Sequence, residues 1–213
     1  MIDSEAAARD WIRAMPEGNA EAIERLEKLA AMLVEENAVQ NLVSANSLDS
    51  LWQRHILDSA QLLTHVPRET SSPWLDLGTG AGFPGLVVAA LRPKCEVVMV
   101  ESRGMRIEWL NRVCEALDLP RAIVVGQRLE QIETRPFAVI SARAFAPLDR
   151  LLKLSARFST RDTLWLLPKG RSAAIELAAL KNSVGAGFHV EPSLTDAEAG
   201  LIVGHLNAKG VKQ

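Results

Sequence analysis

The sequence predicts an α/β protein. A doubly wound, mainly parallel sheet of seven strands (71–213) stands behind a helical N-terminal extension (1–70). Three observations carry this. From residue 74 onward, strand-like apolar runs alternate with helix-like stretches. A glycine-rich turn follows the first of those runs and leads straight into an apolar helix. Residues 1–66 instead space their apolar side chains as helices do. A length of 213 residues suits one domain with an appendage and a substantial core.

Taken in order, residues 4–14 form a short helix that stops near Pro16. Asn19 is the expected N-cap of a longer helix. Its dry side is Ile23, Leu26, Leu29, Ala30, Leu33 and Val34; its wet side is Glu21, Glu24, Glu27, Lys28, Glu35 and Glu36. Residues 37–44 break it, and a third helix runs from Ser47 or Asp49 to about Val66. That helix has an apolar face of Leu48, Leu51, Trp52, Leu62, Leu63 and Val66. At about 100° per residue, His55 and Ser59 project into the middle of that face and Asp58 sits on its edge. Polar groups there need partners. Two readings stay open: a satisfied core histidine bonded to Asp58 or a carbonyl, or a functional group.

Strands are expected at 74–77, 95–100, 122–126, 137–142, 163–167, 187–191 and 200–207, with helices at 104–117, 147–157 and 171–182. No helix separates the last two strands, so they should pair antiparallel at an edge.

The turn is Asp76-Leu-Gly78-Thr-Gly80-Ala-Gly82-Phe83-Pro84. Alternating glycines let the backbone take angles closed to other residues and approach a ligand closely. Pro84 suits the first helical position. Gly80-x-Gly82-x-x-Gly85 fits the dinucleotide pattern G-x-G-x-x-G, but in the wrong register. The first glycine after the strand is Gly78, which puts Phe83 where the third glycine belongs. Counted from Gly78, the pattern resembles the first motif of S-adenosylmethionine-dependent methyltransferases. Asp76 suits a cationic amino acid end better than a pyrophosphate, which it repels. Glu101, closing the second strand about 20 residues past the glycines, is placed to take a ribose hydroxyl pair. Dehydrogenases share that feature.

The net charge of −2 hides an asymmetry. Residues 1–91 hold 6 Lys/Arg against 13 Asp/Glu, whereas residues 92–171 hold 15 against 9. The basic middle can steer a polyanion, although it also fits a solvated surface. Cys95 and Cys114 make no disulfide framework and point to reduced thiols in a cytosol. The four histidines lack metal-ligand spacing, so no metal is expected. Neither a membrane span nor a secretory signal is expected, which makes the cytoplasm the expected location.

Within methyltransferase chemistry two classes are excluded. Methylation of exocyclic base amines uses an Asn/Asp-Pro-Pro-aromatic motif after the fourth strand; here Arg143-Ala-Phe-Ala-Pro-Leu148 follows it. Methylation of pyrimidine C5 needs a cysteine nucleophile near the fourth or fifth strand, and both cysteines lie elsewhere. A competent nucleophile such as guanine N7 remains. It keeps a free lone pair at neutral pH, so alignment alone can supply much of the catalysis.

Asn37-x-x-x-Asn41-Leu, Arg54-His-Ile-Leu-Asp58-Ser59, Asp76 to Gly85, Glu101-Ser, Arg128-Leu-Glu130, Ala142 to Leu148 and Pro168-Lys-Gly170 together resemble one family over roughly residues 20–205. It is the bacterial 16S ribosomal RNA guanine-N7 methyltransferases (RsmG, also called GidB). The resemblance implies a Rossmann-like class I methyltransferase fold and S-adenosyl-L-methionine as cofactor. It implies methylation of the guanine at position 527, in the 530 loop of 16S ribosomal RNA, within the small subunit or its precursor. It places Gly78, Gly80 and Phe83 along the cofactor, Glu101 on its ribose, Leu129 and Glu130 beside the adenine, and Arg143 at its mouth. Asn41, His55, Asp58 and Lys169 would face the substrate. The chain departs from the family where Glu36 and Gln40 replace aromatics and Met105 replaces a lysine. Two other classes stay open here: an NAD-dependent oxidoreductase and a non-catalytic ribosome-assembly factor.

Overall fold

The protein is described by a computed structural model covering residues 1–70, 73–180 and 182–207. Residues 71–72, 181 and 208–213, which the expected catalytic domain and its last helix include, lie outside the described residues.

Seven strands form one sheet: β1 (Trp74–Leu77), β2 (Val97–Val100), β3 (Ala122–Val125), β4 (Val139–Ser141), β5 (Leu164–Gly170), β6 (Phe188–Pro192) and β7 (Gly200–His205). Their order is β3-β2-β1-β4-β5-β7-β6. β1 to β5 pair parallel, while β7 runs antiparallel to both β5 and β6. The last two strands thus pair antiparallel as expected, but β7 fills the place beside β5 and leaves β6 at the edge. The strand order reverses at β1, whose neighbours are β2 and β4. At such a switch point a crevice opens beyond the carboxyl ends of the strands.

The helices are α1 (Glu5–Ala14), α2 (Ala20–Asn37), α3 (Asp58–Ala60), α4 (Gly85–Leu91), α5 (Gly104–Ala116), α6 (Leu148–Ser155), α7 (Ala173–Ala178) and α8 (Asn182–Gly185). Asn19 caps α2, its Oδ1 accepting from the Ala22 N–H at 2.9 Å. The buried line of α2 is Ala22, Leu26, Leu29, Leu33 and Asn37. Val34, expected inside, is 50% exposed. One residue past Leu33 it has turned about 100° off that line. Asn37 closes the line because its Oδ1 accepts from the N–H groups of Leu42 and Val43, both at 2.9 Å.

The third helix differs in pitch from the expectation. It begins with a 3-10 turn (Ala45–Ser47), widens to a π turn (Trp52–Leu57), passes through α3 and tightens again to 3-10 (Gln61–His65). A constant 100° per residue does not hold across it. π turns concentrate at functional sites, and this one carries His55. The Ser59 hydroxyl donates to the His55 carbonyl at 2.6 Å, so Ser59 serves the turn's own backbone.

Alternation along the strands divides the core. Trp74, Val97, Met99, Val139 and Leu166 face one way and join α1, α2, the π turn, α4 and α5 in a single cluster. Leu75, Leu77, Val98, Val100 and Ile140 face the other way, against α6 and α7. The first cluster runs across residue 70, so the N-terminal helices share a core with the sheet.

Candidate active site

The glycine turn leaves β1 at the switch point. Gly78, Gly80 and Gly82 sit at φ 63, 60 and 105°, in the region that favours glycine. Pro84 precedes α4, which begins at Gly85. Asp76 lies beneath this turn and is fully buried. Its Oδ2 accepts from the Thr79 hydroxyl at 2.5 Å and the Gly85 N–H at 2.9 Å; its Oδ1 accepts from the Ser141 hydroxyl at 2.8 Å. Ser141 in turn accepts from the Trp74 indole N–H at 2.8 Å, tying β4 to β1. Burial pushes the Asp76 carboxyl above the usual carboxylate range, against the pull of its hydrogen bonds. Asp76 was expected to meet the cationic end of a cofactor. Its oxygens are instead taken up by protein donors, and its place is under the turn.

A cleft of about 410 Å³ opens above the turn. Gly78, Glu101, Leu129 and Glu130 line it, so four of the residues expected along the cofactor meet there. Glu101 is held by the backbone: its Oε1 accepts from the Ser102 and Arg103 N–H groups, and its Oε2 from the Gly80 N–H at 3.1 Å. Arg103, Arg106, Arg128 and Arg150 also line the cleft, which puts four of the 15 Lys/Arg of the basic middle here. Phe83 lies deeper, 2% exposed, stacked on His55 at 5.2 Å between ring centroids. It supports the site from the core side and lines neither cleft.

A larger cleft, about 930 Å³, lies alongside. Asp58, Arg143 and Lys169 line it. Arg143, expected at the cofactor's mouth, thus lines the larger cleft and not the smaller one. Its Nη2 donates to His55 Nδ1 at 3.2 Å, and its Nη1 reaches Asp58 Oδ2 at 3.4 Å. The guanidinium carbon also lies 5.0 Å from the centre of the Phe83 ring. Asp58 Oδ1 accepts from Gln61 at 2.8 Å and from the Thr195 hydroxyl at 3.2 Å. Gln61 returns an acceptor to the Leu194 N–H at 2.9 Å, so the loop after β6 is stitched to α3. Lys169 Nζ donates to the Ala146 carbonyl at 2.6 Å and pairs with Glu176 at 2.9 Å. Burial works against the Glu176 charge, yet the bonds from Ser172, Lys169 and the Leu148 N–H, with the Lys169 charge, hold it below the ordinary value. Asn41 is exposed and lines neither cleft. The structure does not bring it to the others.

His55 does not bond Asp58. With Arg143 donating to Nδ1, its Nε2–H donates to Ser47 Oγ at 2.9 Å, and Ser47 donates on to the Ser44 carbonyl at 2.7 Å. Burial, then the charges of Arg143 and Arg54, lower its pKa to about 3. The imidazole is therefore neutral at physiological pH and committed on both nitrogens. In the unfolded chain it protonates below about 6.5. Between 6.5 and 3 the unfolded state alone holds the extra proton, so stability falls as the pH drops, by about 1.4 kcal/mol per unit. We expect the stability advantage of the wild type over His55→Gln, from urea unfolding, to shrink by about 2 kcal/mol between pH 7 and pH 5. An unchanged difference would mean that His55 is protonated in the folded protein.

Sequence reasoning missed Ser141, Thr195 and Phe145. Ser141 left a signal, a lone hydroxyl in an apolar strand beside one ending in a buried acid. Thr195 left none, lying 137 residues from Asp58. Burial raises the pKa of Cys95 and lifts that of Cys114 to about 11, so neither is a nucleophile at neutral pH. Among the described residues no cluster of metal ligands occurs, and no helix is long and apolar enough to cross a membrane.

Comparison with known proteins fits this geometry. The family model described as rRNA small subunit methyltransferase G (GidB) matches residues 22–197. Ribosomal RNA small subunit methyltransferase G of Erythrobacter litoralis is 56% identical over 209 residues, covering 98% of this chain and 100% of the relative. Its namesake in Novosphingobium aromaticivorans is 54% identical, covering 96% and 90%. Among solved structures, the ribosomal protein L11 methylase of Lactobacillus delbrueckii subsp. bulgaricus aligns with TM-score 0.54 at 14% identity, over 72% of this chain and 79% of that one. This last likeness concerns the fold.

Proposed function

Since the chain belongs to the rRNA small subunit methyltransferase G family, we propose that it methylates N7 of the guanine at position 527 in 16S ribosomal RNA. The methyl donor is S-adenosyl-L-methionine, and the substrate is the small subunit or its precursor in the cytoplasm. With the family shown, the oxidoreductase and the non-catalytic assembly factor are not favoured. The observation that carries the finer reading is the pair of clefts meeting at one loop, Ala144 to Pro147, which lines both.

The smaller cleft fits the donor. At about 410 Å³ it has the volume of a small-molecule site. Gly78 gives close backbone approach, and Glu101 is a carboxylate already oriented by three N–H donors for a diol. When bound, the donor would supply a sulfonium methyl to N7, its S–C bonding pair staying with sulfur and the positive charge passing to the purine ring. The residues of the larger cleft have separate tasks. Arg143 adds positive charge toward RNA phosphate, and Lys169, paired with Glu176, holds the loop that borders the cleft through the Ala146 carbonyl. Asp58 sets a negative charge where the purine becomes positive, the kind of electrostatic support that acts in the transition state. His55, neutral and bonded at both nitrogens, braces Arg143; N7 needs no base, and this histidine is in no state to be one.

The test is methyl incorporation into small subunits lacking the modification, followed by mass spectrometry of the RNA. One methyl at that guanine is expected, with short unstructured RNA a poor substrate. The donor or its demethylated product should also raise the melting temperature, by about 2.7 kcal/mol of stability at 100 times its dissociation constant, while NAD does not. A larger shift with NAD, or methylation of another atom, overturns the reading.

A further inference from the structure

The Phe145 side chain occupies ground that both clefts need. It lines each of them and is the one aromatic ring that does so among the described residues. A Cβ built on Gly78 would overlap its Cδ2, so the ring lies directly on the first glycine of the turn. The chain has no tyrosine, and its other four phenylalanines are buried, as are Trp52, Trp74, Trp109 and Trp165. Trp11 borders a separate hollow with Pro16 and Leu63. A base entering the larger cleft therefore has one ring to stack on.

The backbone around Phe145 is pinned on both sides and tense between. Arg143 is anchored on His55 and Asp58. Lys169 holds the Ala146 carbonyl, and Glu176 holds the Leu148 N–H at 2.8 Å. Between these pins Ala144 sits at φ 52°, in the left-handed region that non-glycine residues enter at a cost.

We propose that Phe145 is a positioning residue shared by the two clefts: its ring covers Gly78 while the donor is absent, yields that ground to the donor, and turns into the larger cleft, where it stacks on the target purine. Donor binding then builds the purine's seat, and binding is ordered, donor first. The inference rests on the reading above.

The test uses Phe145→Ala, Phe145→Leu and Phe145→Tyr in the full chain. Affinity for the demethylated donor is measured by calorimetry, and single-turnover transfer to small subunits at saturating donor. Phe145→Ala should bind the demethylated donor at least threefold more tightly, with no ring to displace, yet transfer at least tenfold more slowly, because base–aromatic stacking is lost. Phe145→Leu should be as slow as Phe145→Ala, and Phe145→Tyr should approach wild type. Weaker donor binding by Phe145→Ala, or transfer by Phe145→Ala or Phe145→Leu at the wild-type rate, overturns the inference. Wild-type transfer accompanied by those outcomes sinks this inference alone. No transfer by the wild type sinks the underlying reading and this inference with it.

Discussion

Replacing Asp76 by alanine is expected to lower the melting temperature by about 6–12 °C and to weaken donor binding at least tenfold. The carboxylate serves the Thr79 hydroxyl, the Ser141 hydroxyl and the Gly85 N–H, all inside the protein. A buried donor left without an acceptor costs about 1–3 kcal/mol. The lower bound applies here, because removing the acid also relieves the cost of burying it, which already raises its pKa. Three donors then cost about 3 kcal/mol, equivalent to about 2–4 °C each in a chain of this size. Binding falls because the same bonds hold the glycine turn against β4. Asp76→Asn keeps one acceptor oxygen and should lose less on both measures. Thermal melts and calorimetry with the demethylated donor decide it. Unchanged donor affinity in a folded Asp76→Ala would mean that the turn holds its shape without the acid.

Arg143→Ala should slow single-turnover methyl transfer about 100-fold, or about 2.7 kcal/mol, with donor affinity within threefold of wild type. One guanidinium joins His55 to Asp58 and lies over Phe83. Its loss removes a cation from the larger cleft, leaves Asp58 with no cationic partner there, and releases one end of the loop that carries Phe145. Arg143→Lys offers a single ammonium with no planar fork to span both partners, and should recover only part of the rate. Transfer by Arg143→Ala within threefold of wild type would show that the arginine only braces the fold.

The architecture was legible because it rests on local chemistry. Alternating apolar runs, the glycine turn and the Asn19 cap each act within a few residues, and the strands fall within a few residues of expectation. Gly78, Glu101, Leu129 and Glu130 were legible for the same reason, each at the end of a strand or in the loop after one. What failed depended on neighbours distant in sequence. The π turn changed the phase of the helix bearing His55, and the His55–Asp58 bond, one of the readings left open, gives way to a bridge through Arg143, 88 residues away from His55. Asp76 looked like a ligand group because its three donors, one of them 65 residues away, cannot be counted from its own strand. Val34 was placed inside α2 by spacing alone, whereas the helix turns it outward.

The stitching of the loop after β6 onto α3 has a temporal consequence. Every described residue lining the smaller cleft is encoded by Leu154, whereas the larger cleft needs Ser193, Thr195 and Leu201 as well. A chain emerging from the ribosome therefore exposes the parts of the smaller cleft well before the wall of the larger one is synthesised. While β7 is still inside the exit tunnel, Asp58 lacks Thr195 and Gln61 lacks Leu194.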